Sequence, residues 1–164
     1  MGAGKTTVGR SLARRLGLGF VDTDREIESR TGVNIPTIFE IEGDEGFRRR
    51  ESCVMAEIAK KKGWVVATGG GGVLREENRA GMRASGFVVY LNVPPRTLWE
   101  RTRYGKNRPL LQVDDPLSKL NQLFVARDPL YREVADFVVN GGKTGAQGIL
   151  QCLLKELSER WERL

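Results

Sequence analysis

Met1-Gly2-Ala3-Gly4-Lys5-Thr6-Thr7 opens the chain, and this stretch decides the fold because it reads as most of a phosphate-binding P-loop. In the full pattern, G-x-x-x-x-G-K-[ST], glycines let successive backbone N–H groups curl around a triphosphate, the lysine reaches the β/γ-phosphates and the hydroxyl holds Mg²⁺. Gly4, Lys5 and Thr6 fill its last three positions, and its first glycine would fall upstream of Met1. Outward from the loop, Val8, Leu12 and Leu16 recur every four residues and Gly17 stands where a helix would stop, which predicts an amphipathic helix. A glycine-rich turn opening into a helix is the context the motif needs, since the helix N-terminus adds partial positive charge to an anion site.

The bulk properties narrow what such a loop can serve. At 164 residues, with 40% hydrophobic and 29% charged side chains, the chain has the size and composition of one globular domain spanning residues 1–164. No apolar run is long enough to cross a bilayer, and the N-terminus lacks the charged-then-apolar pattern of a signal peptide, so a cytoplasmic location without membrane association is expected. There is no histidine, which removes His-based triads and general bases, and Cys53 and Cys152 lie too far apart for the usual zinc patterns. Both thiols are expected to be reduced and mostly buried. A net charge of +6 and a pI near 9.6 suggest an anionic partner, either nucleic acid or phosphorylated small molecules.

Beyond Gly17, a short strand over Gly19 to Val21 leads into Asp22-Thr23-Asp24. Ligands of α/β sheets bind beyond the carboxyl ends of strands, so these carboxylates face the same crevice as the P-loop, and their spacing of two sends both to one side. Either can also cap the helix that starts near Arg25. That short helix ends at Gly32, and a second starts at Pro36. A longer one, from Phe47 to about Lys62, carries an apolar stripe of Phe47, Val54, Met55 and Ile58, with Arg48 and Glu51 sharing a face. Arg48, Arg49 and Arg50 cannot all point one way, so at most one or two serve a site.

Trp64 to Thr68 reads as a buried parallel strand. It ends in Gly69-Gly70-Gly71-Gly72, and four glycines there cost backbone entropy and add no packing, which suits close approach of a ligand to the main chain. A helix over residues 76–85, a buried strand over 87–93 and a helix from Pro94-Pro95 to about Arg103 follow. The aperiodic, basic stretch from about 104 to 115 has the composition of a lid over phosphates. A helix from Pro116 to about Ala135 with a kink at Pro129, a strand over 136–140 and a final amphipathic helix over 145–161 complete the chain. Alternating strands and helices place it in the α/β class, with helices on both faces of a parallel sheet.

Taken together, these motifs resemble one family, the shikimate kinases, small P-loop kinases of the nucleoside-monophosphate-kinase fold. The matching pieces are G-A-G-K-T-T from Gly2, D-T-D at Asp22, F-R-x-x-E from Phe47 to Glu51, the glycines after Thr68, R-P-L-L at Arg108 and R-x-P-L-Y from Arg127 to Tyr131. The resemblance implies transfer of the ATP γ-phosphate to the 3-hydroxyl of shikimate, in aromatic amino acid biosynthesis, by a monomer with Mg²⁺ as cofactor. It implies that Gly2, Ala3, Gly4, Lys5, Thr6 and Thr7 hold the ATP phosphates, with Thr6 and Asp22 on the metal. Asp24 would bind the accepting hydroxyl, while Arg48, Gly70 and Arg127 would anchor the rest of shikimate, the arginines at its carboxylate. Lys5, Asp24 and Arg108 would be catalytic, with Arg108 reaching the transferring phosphate from the lid, and Arg101 and the region of Thr144 would touch adenine. Elementary chemistry agrees, since a planar guanidinium suits a carboxylate clamp and phosphoryl transfer asks mainly for alignment and charge neutralisation.

In one respect the sequence departs from the pattern. Family members carry a strand ahead of the P-loop, in the middle of the sheet, and this sequence has neither that strand nor the first glycine. We expect Met1 to match a methionine inside the loop of relatives and the natural protein to start further upstream. Competing readings are another small-molecule P-loop kinase and a non-catalytic kinase-like domain. A nucleic-acid binder has little support, because no helix carries a basic stripe interleaved with aromatics.

Overall fold

The structure is a computed structural model and describes residues 2–103, 113–142 and 144–161. Its elements alternate as the sequence predicts. Helix α1 (Lys5–Leu16) leads to β1 (Gly19–Asp22), α2 (Thr23–Thr31) and α3 (Ile35–Ile58), then to β2 (Trp64–Ala67) and α4 (Glu76–Ser85). The second half is β3 (Val89–Asn92), α5 (Pro95–Thr102), α6 (Pro116–Val134), β4 (Phe137–Asn140) and α7 (Ala146–Trp161).

Local chemistry sets most boundaries. Gly17 and Gly32 close α1 and α2 in the left-handed conformation, at φ of 67° and 73°, which a side chain would disfavour. Asn34 caps α3 by accepting the Thr37 N–H at 2.9 Å, and Asp115 caps α6 through the Ser118 N–H at 2.9 Å. Helix α3 is broken at Gly43 (φ 70°, ψ −176°), so the two helices expected there adjoin directly. Its second half ends at Ile58, short of Lys62, because the apolar stripe stops there. Helix α6 runs from Pro116 to Val134 through Pro129.

The strands form two separate parallel pairs. β1 pairs with β2 in register Gly19↔Trp64 to Asp22↔Ala67, and β3 pairs with β4 from Val89↔Phe137 to Asn92↔Asn140. No strand ladder joins the pairs among the described residues. Side chains connect them instead. Val8 and Leu12 of α1 and Ile149, Leu150 and Leu153 of α7 make one buried cluster with Val139 of β4, and Val65, Val89, Leu91 and Phe137 of the strands pack against it. A second cluster, of Ile27, Ile38, Phe47, Val54 and Ile58 with Val21, lies between α2, α3 and β1.

Four sequence expectations are corrected. β2 is not buried, with Trp64 43% and Val66 39% exposed, and β3 is only half-buried; each has a ladder partner on one edge alone among the described residues, so part of each strand faces outward. Cys53 and Cys152 are free and exposed, since each lies off its helix's apolar stripe. Leu16, at the last position of α1, is likewise exposed. No described helix is long and apolar enough to cross a membrane.

Candidate active site

Two left-handed glycines shape the loop that leads into α1. Gly2 has φ 70° and Gly4 has φ 89°, and Gly4 serves as N-cap, its carbonyl accepting the Val8 N–H at 2.9 Å. Ala3 is buried, while Gly4, Lys5 and Thr6 are half-buried and Thr7 is exposed. The Thr6 hydroxyl donates to Asp22 Oδ2 at 2.6 Å. Asp22 also caps α2, its Oδ1 accepting the Asp24 N–H at 3.1 Å and the Arg25 N–H at 3.4 Å. Capping and site-facing roles therefore coexist in one carboxylate, one oxygen to each. Hydroxyl and carboxylate oxygens at a helix N-terminus are the hard donor set Mg²⁺ takes, usually one or two carboxylates completed by phosphate and water. The described residues hold no group of three His, Cys, Asp or Glu side chains able to cage a metal without substrate oxygens.

The glycine run after β2 forms the opposite wall, tied down at several of its peptides. The Gly69 N–H donates to the buried Thr23 hydroxyl at 2.9 Å, and the Gly69 carbonyl accepts the Gly72 N–H at 3.1 Å. A side chain at Gly69 would strike Glu51 Oε1 and Asp24 Oδ1, and one at Gly71 would strike the Arg48 guanidinium. The absence of side chains here is thus a packing requirement of three charged groups that crowd the loop. From α6, the Arg127 Nη1 donates to the Gly70 carbonyl at 3.2 Å.

Arg48 is 7% exposed and Glu51 fully buried. Arg48 Nη1 donates to Glu51 Oε2 at 2.6 Å, three residues apart on one helix face. Arg48 Nε lies 3.4 Å from Asp44 Oδ1 without hydrogen-bond geometry, and it and Glu51 Oε1 are buried without a hydrogen-bond partner. Burial pushes the Glu51 carboxyl up, opposed by Arg48. Asp24 is also pushed above its ordinary range, first by burial and then by the neighbouring Asp22, while Lys5 pulls the other way. An unsatisfied guanidinium N–H and a buried carboxylate raised in this manner are the marks of a site made for a polar ligand.

Arg49 and Arg50 point outward to Glu45 and Glu42, so Arg48 alone of the three turns inward. Arg101 Nη2 donates to the Gly141 carbonyl at 3.2 Å, which places it against the turn after β4; Thr144, further along that turn, is exposed. Arg108 and most of the expected lid lie outside the described residues. An apolar cavity of about 130 Å³ runs from Ala3 and Lys5 past Gly69 and Gly70 to Leu120, Phe124 and Arg127. Sequence reasoning missed Thr23 and the α6 tyrosine Tyr131, whose hydroxyl also donates to the Gly70 carbonyl. No local pattern marked Thr23: the strand ends at Asp22, so Thr23 and Asp24 open α2 and do not continue the strand's alternation, and the partner Gly69 lies 46 residues on.

The model of the shikimate kinase family matches residues 1–158. The chain belongs to this family. A shikimate kinase of Dechloromonas aromatica is 60% identical over 158 residues, covering 96% of this chain and 86% of that protein. One of Aromatoleum aromaticum is 57% identical, covering 96% and 90%. Among solved structures, the shikimate kinase from Acinetobacter baumannii in complex with shikimate is 48% identical, with a TM-score of 0.94 over 98% of this chain and 89% of that one. The shikimate kinase of Aquifex aeolicus is 34% identical with a TM-score of 0.85, over 98% of this chain and 93% of that one. These shikimate kinases therefore share this arrangement of parallel strands and helices across nearly the whole chain.

Proposed function

We propose that this chain is an ATP-dependent shikimate kinase, transferring the γ-phosphate of ATP to the 3-hydroxyl of shikimate to give shikimate 3-phosphate and ADP. The observation that carries the reading is the convergence of Asp24, Arg48 and Arg127 on the glycine run that faces the P-loop. Family membership supports the substrate pair.

In this reading, backbone N–H groups of Gly2 to Thr7 and the Lys5 ammonium take the phosphates of ATP. Arg101 and the turn near Thr144 border the adenine. Thr6 and Asp22 would hold Mg²⁺, which when bound would neutralise phosphate charge. Arg48 and Arg127 reach the acceptor from α3 and α6, each with guanidinium N–H groups left for a carboxylate. The Gly70 carbonyl accepts from Arg127, and Gly71 lies against Arg48. Asp24 orients the 3-hydroxyl and accepts its proton as the O–P bond forms, and the displaced ADP leaves with the charge that Lys5 offsets. Arg108 supplies further positive charge to the transferring group. The Asp24 carboxylate, disfavoured as an anion by burial and by Asp22, is more basic than an exposed aspartate, which suits proton acceptance. We further place the enzyme in the cytoplasm as a single-domain monomer, acting on small molecules without nucleic acid or membrane.

ADP release from Mg²⁺-ATP by the purified chain, with and without shikimate, tests the reading. Turnover that depends on shikimate is the expected outcome. Turnover with gluconate or a nucleoside monophosphate in its place would overturn the assigned acceptor.

A further inference from the structure

We infer that Tyr131 is a positioning residue for the acceptor's carboxylate, acting through the Gly70 carbonyl and the Arg127 guanidinium. This rests on the assignment of Arg127 to that carboxylate. Arg127 and Tyr131 are four apart on α6 and so share a face, and both donate to one oxygen. The Tyr131 hydroxyl meets the Gly70 carbonyl at 2.5 Å and Arg127 Nη1 meets it at 3.2 Å. A carbonyl oxygen has two lone-pair directions, and both are taken. The tyrosine is itself held, its ring stacked on Tyr90 of β3 with centroids 4.9 Å apart. Tyr90 donates to Asp128 Oδ1 at 2.9 Å, and Asp128 Oδ2 accepts from Arg132 at 2.8 Å. The tyrosine is thus a fixed post between a strand and the glycine run.

Two consequences follow from that sharing. The hydroxyl fixes the plane of the Gly70–Gly71 peptide in a run whose glycines resist rotation poorly. It also takes one of the carbonyl's two lone-pair directions, so a single Arg127 N–H completes that oxygen and the remaining N–H groups are presented to a ligand. Without the hydroxyl, Arg127 is the sole donor to a part-buried carbonyl and is drawn onto it, in competition with the incoming carboxylate. Phenylalanine keeps the ring, the stack on Tyr90 and the apolar packing, and removes the hydroxyl alone.

The test is a comparison of KM for shikimate and for ATP in the unaltered chain, Tyr131→Phe and Arg127→Ala, repeated with the shikimate analogue whose carboxylate is reduced to a primary alcohol. Tyr131→Phe is expected to raise KM for shikimate about five- to tenfold, the effect of one lost hydrogen bond. KM for ATP should stay within about twofold, and KM for the alcohol should not respond, because uniform binding of other groups is untouched. An unchanged KM for shikimate overturns the inference. So does an equal rise for both substrates, or for shikimate and the alcohol alike, since that is general damage to the loop. If Arg127→Ala also leaves KM for shikimate unchanged, the carboxylate assignment fails and the inference with it. If Arg127→Ala raises it while Tyr131→Phe is silent, the assignment stands and the inference alone falls.

Discussion

In the proposed reaction Asp24 has to be an anion to accept a proton, in a place that opposes the anion. Burial and the charge of Asp22 raise its pKa above the ordinary 3.8, with Lys5 offsetting part of the rise. For stability, the sign is the reverse of a salt-bridged carboxylate. Between 3.8 and the folded-state value the native protein binds more protons than the unfolded chain, so this stability is full below the unfolded-state value and is lost as pH rises through the folded-state value. At neutral pH the ionised Asp24 therefore destabilises the unliganded protein. An asparagine in its place is neutral and similar in shape. Asp24→Asn should raise Tm at pH 7 by about 2–4 °C, the response to roughly 1 kcal/mol at this size, while abolishing most turnover. Melts of both proteins from pH 7 to pH 4 check this: the gap should close toward acid as native Asp24 takes up its proton. A gap that widens toward acid would reverse the assigned direction of the shift.

At the scale of an element, the second half of α3 carries the buried Arg48–Glu51 pair, and the proposed function adds a ligand-facing duty to its structural one. Removing one partner of a buried pair leaves an uncompensated charge, and Arg48→Ala should destabilise by about 3–5 kcal/mol. Replacing both with apolar side chains removes the problem along with the pair. Arg48→Met with Glu51→Leu should recover most of that loss in urea unfolding, yet bind shikimate as weakly as the single variant. Recovery of shikimate affinity with recovery of stability would mean that Arg48 supports the fold alone. How far this was legible in sequence differs by element. The period of α1, the limits of α4 and the turn glycines 17 and 32 depend on neighbours in the chain, and they were readable. The spacing of three put Arg48 on one face with Glu51, but only the F-R-x-x-E resemblance singled it out from Arg49 and Arg50. The convergence of Thr23, Glu51 and Tyr131 on Gly69 and Gly70 was not readable, because it joins α2, α3 and α6 to one turn. Thr23 lies 46 residues from Gly69 and Tyr131 lies 61 from Gly70, far beyond the reach of any local pattern. The exposure of β2 was misread for the same kind of reason, as an apolar run reports what a strand is made of and its neighbours decide what is covered.

At the largest scale, side chains join the two strand pairs among the described residues. The α1–α7 cluster touches β2 through Val65 and β3 and β4 through Val89, Leu91, Val139 and Phe137, whereas β1 has additional support from the α2–α3 cluster through Val21. The basic excess contributes little to this coupling, because arginines such as Arg30, Arg83 and Arg160 are spent on exposed ion pairs with glutamates, each worth at most about 1 kcal/mol. The coupling is thus apolar and asymmetric, with the β3–β4 pair depending on α7 more than the β1–β2 pair does. Leu153 is 3% exposed in that cluster, and Leu153→Ala should cost about 2–5 kcal/mol through the lost transfer energy and the cavity left behind. Native-state hydrogen exchange resolves where the cost falls. Amides of Val89 to Asn92 and Phe137 to Asn140 should lose most of their protection, while those of Gly19 to Asp22 and Trp64 to Ala67 keep more of theirs, held by Ile27, Phe47 and Val54 on the other side. An equal loss in both pairs would mean that the molecule opens as one cooperative unit, and that α1, which packs on both sides of the division, couples the pairs as tightly as a shared ladder would.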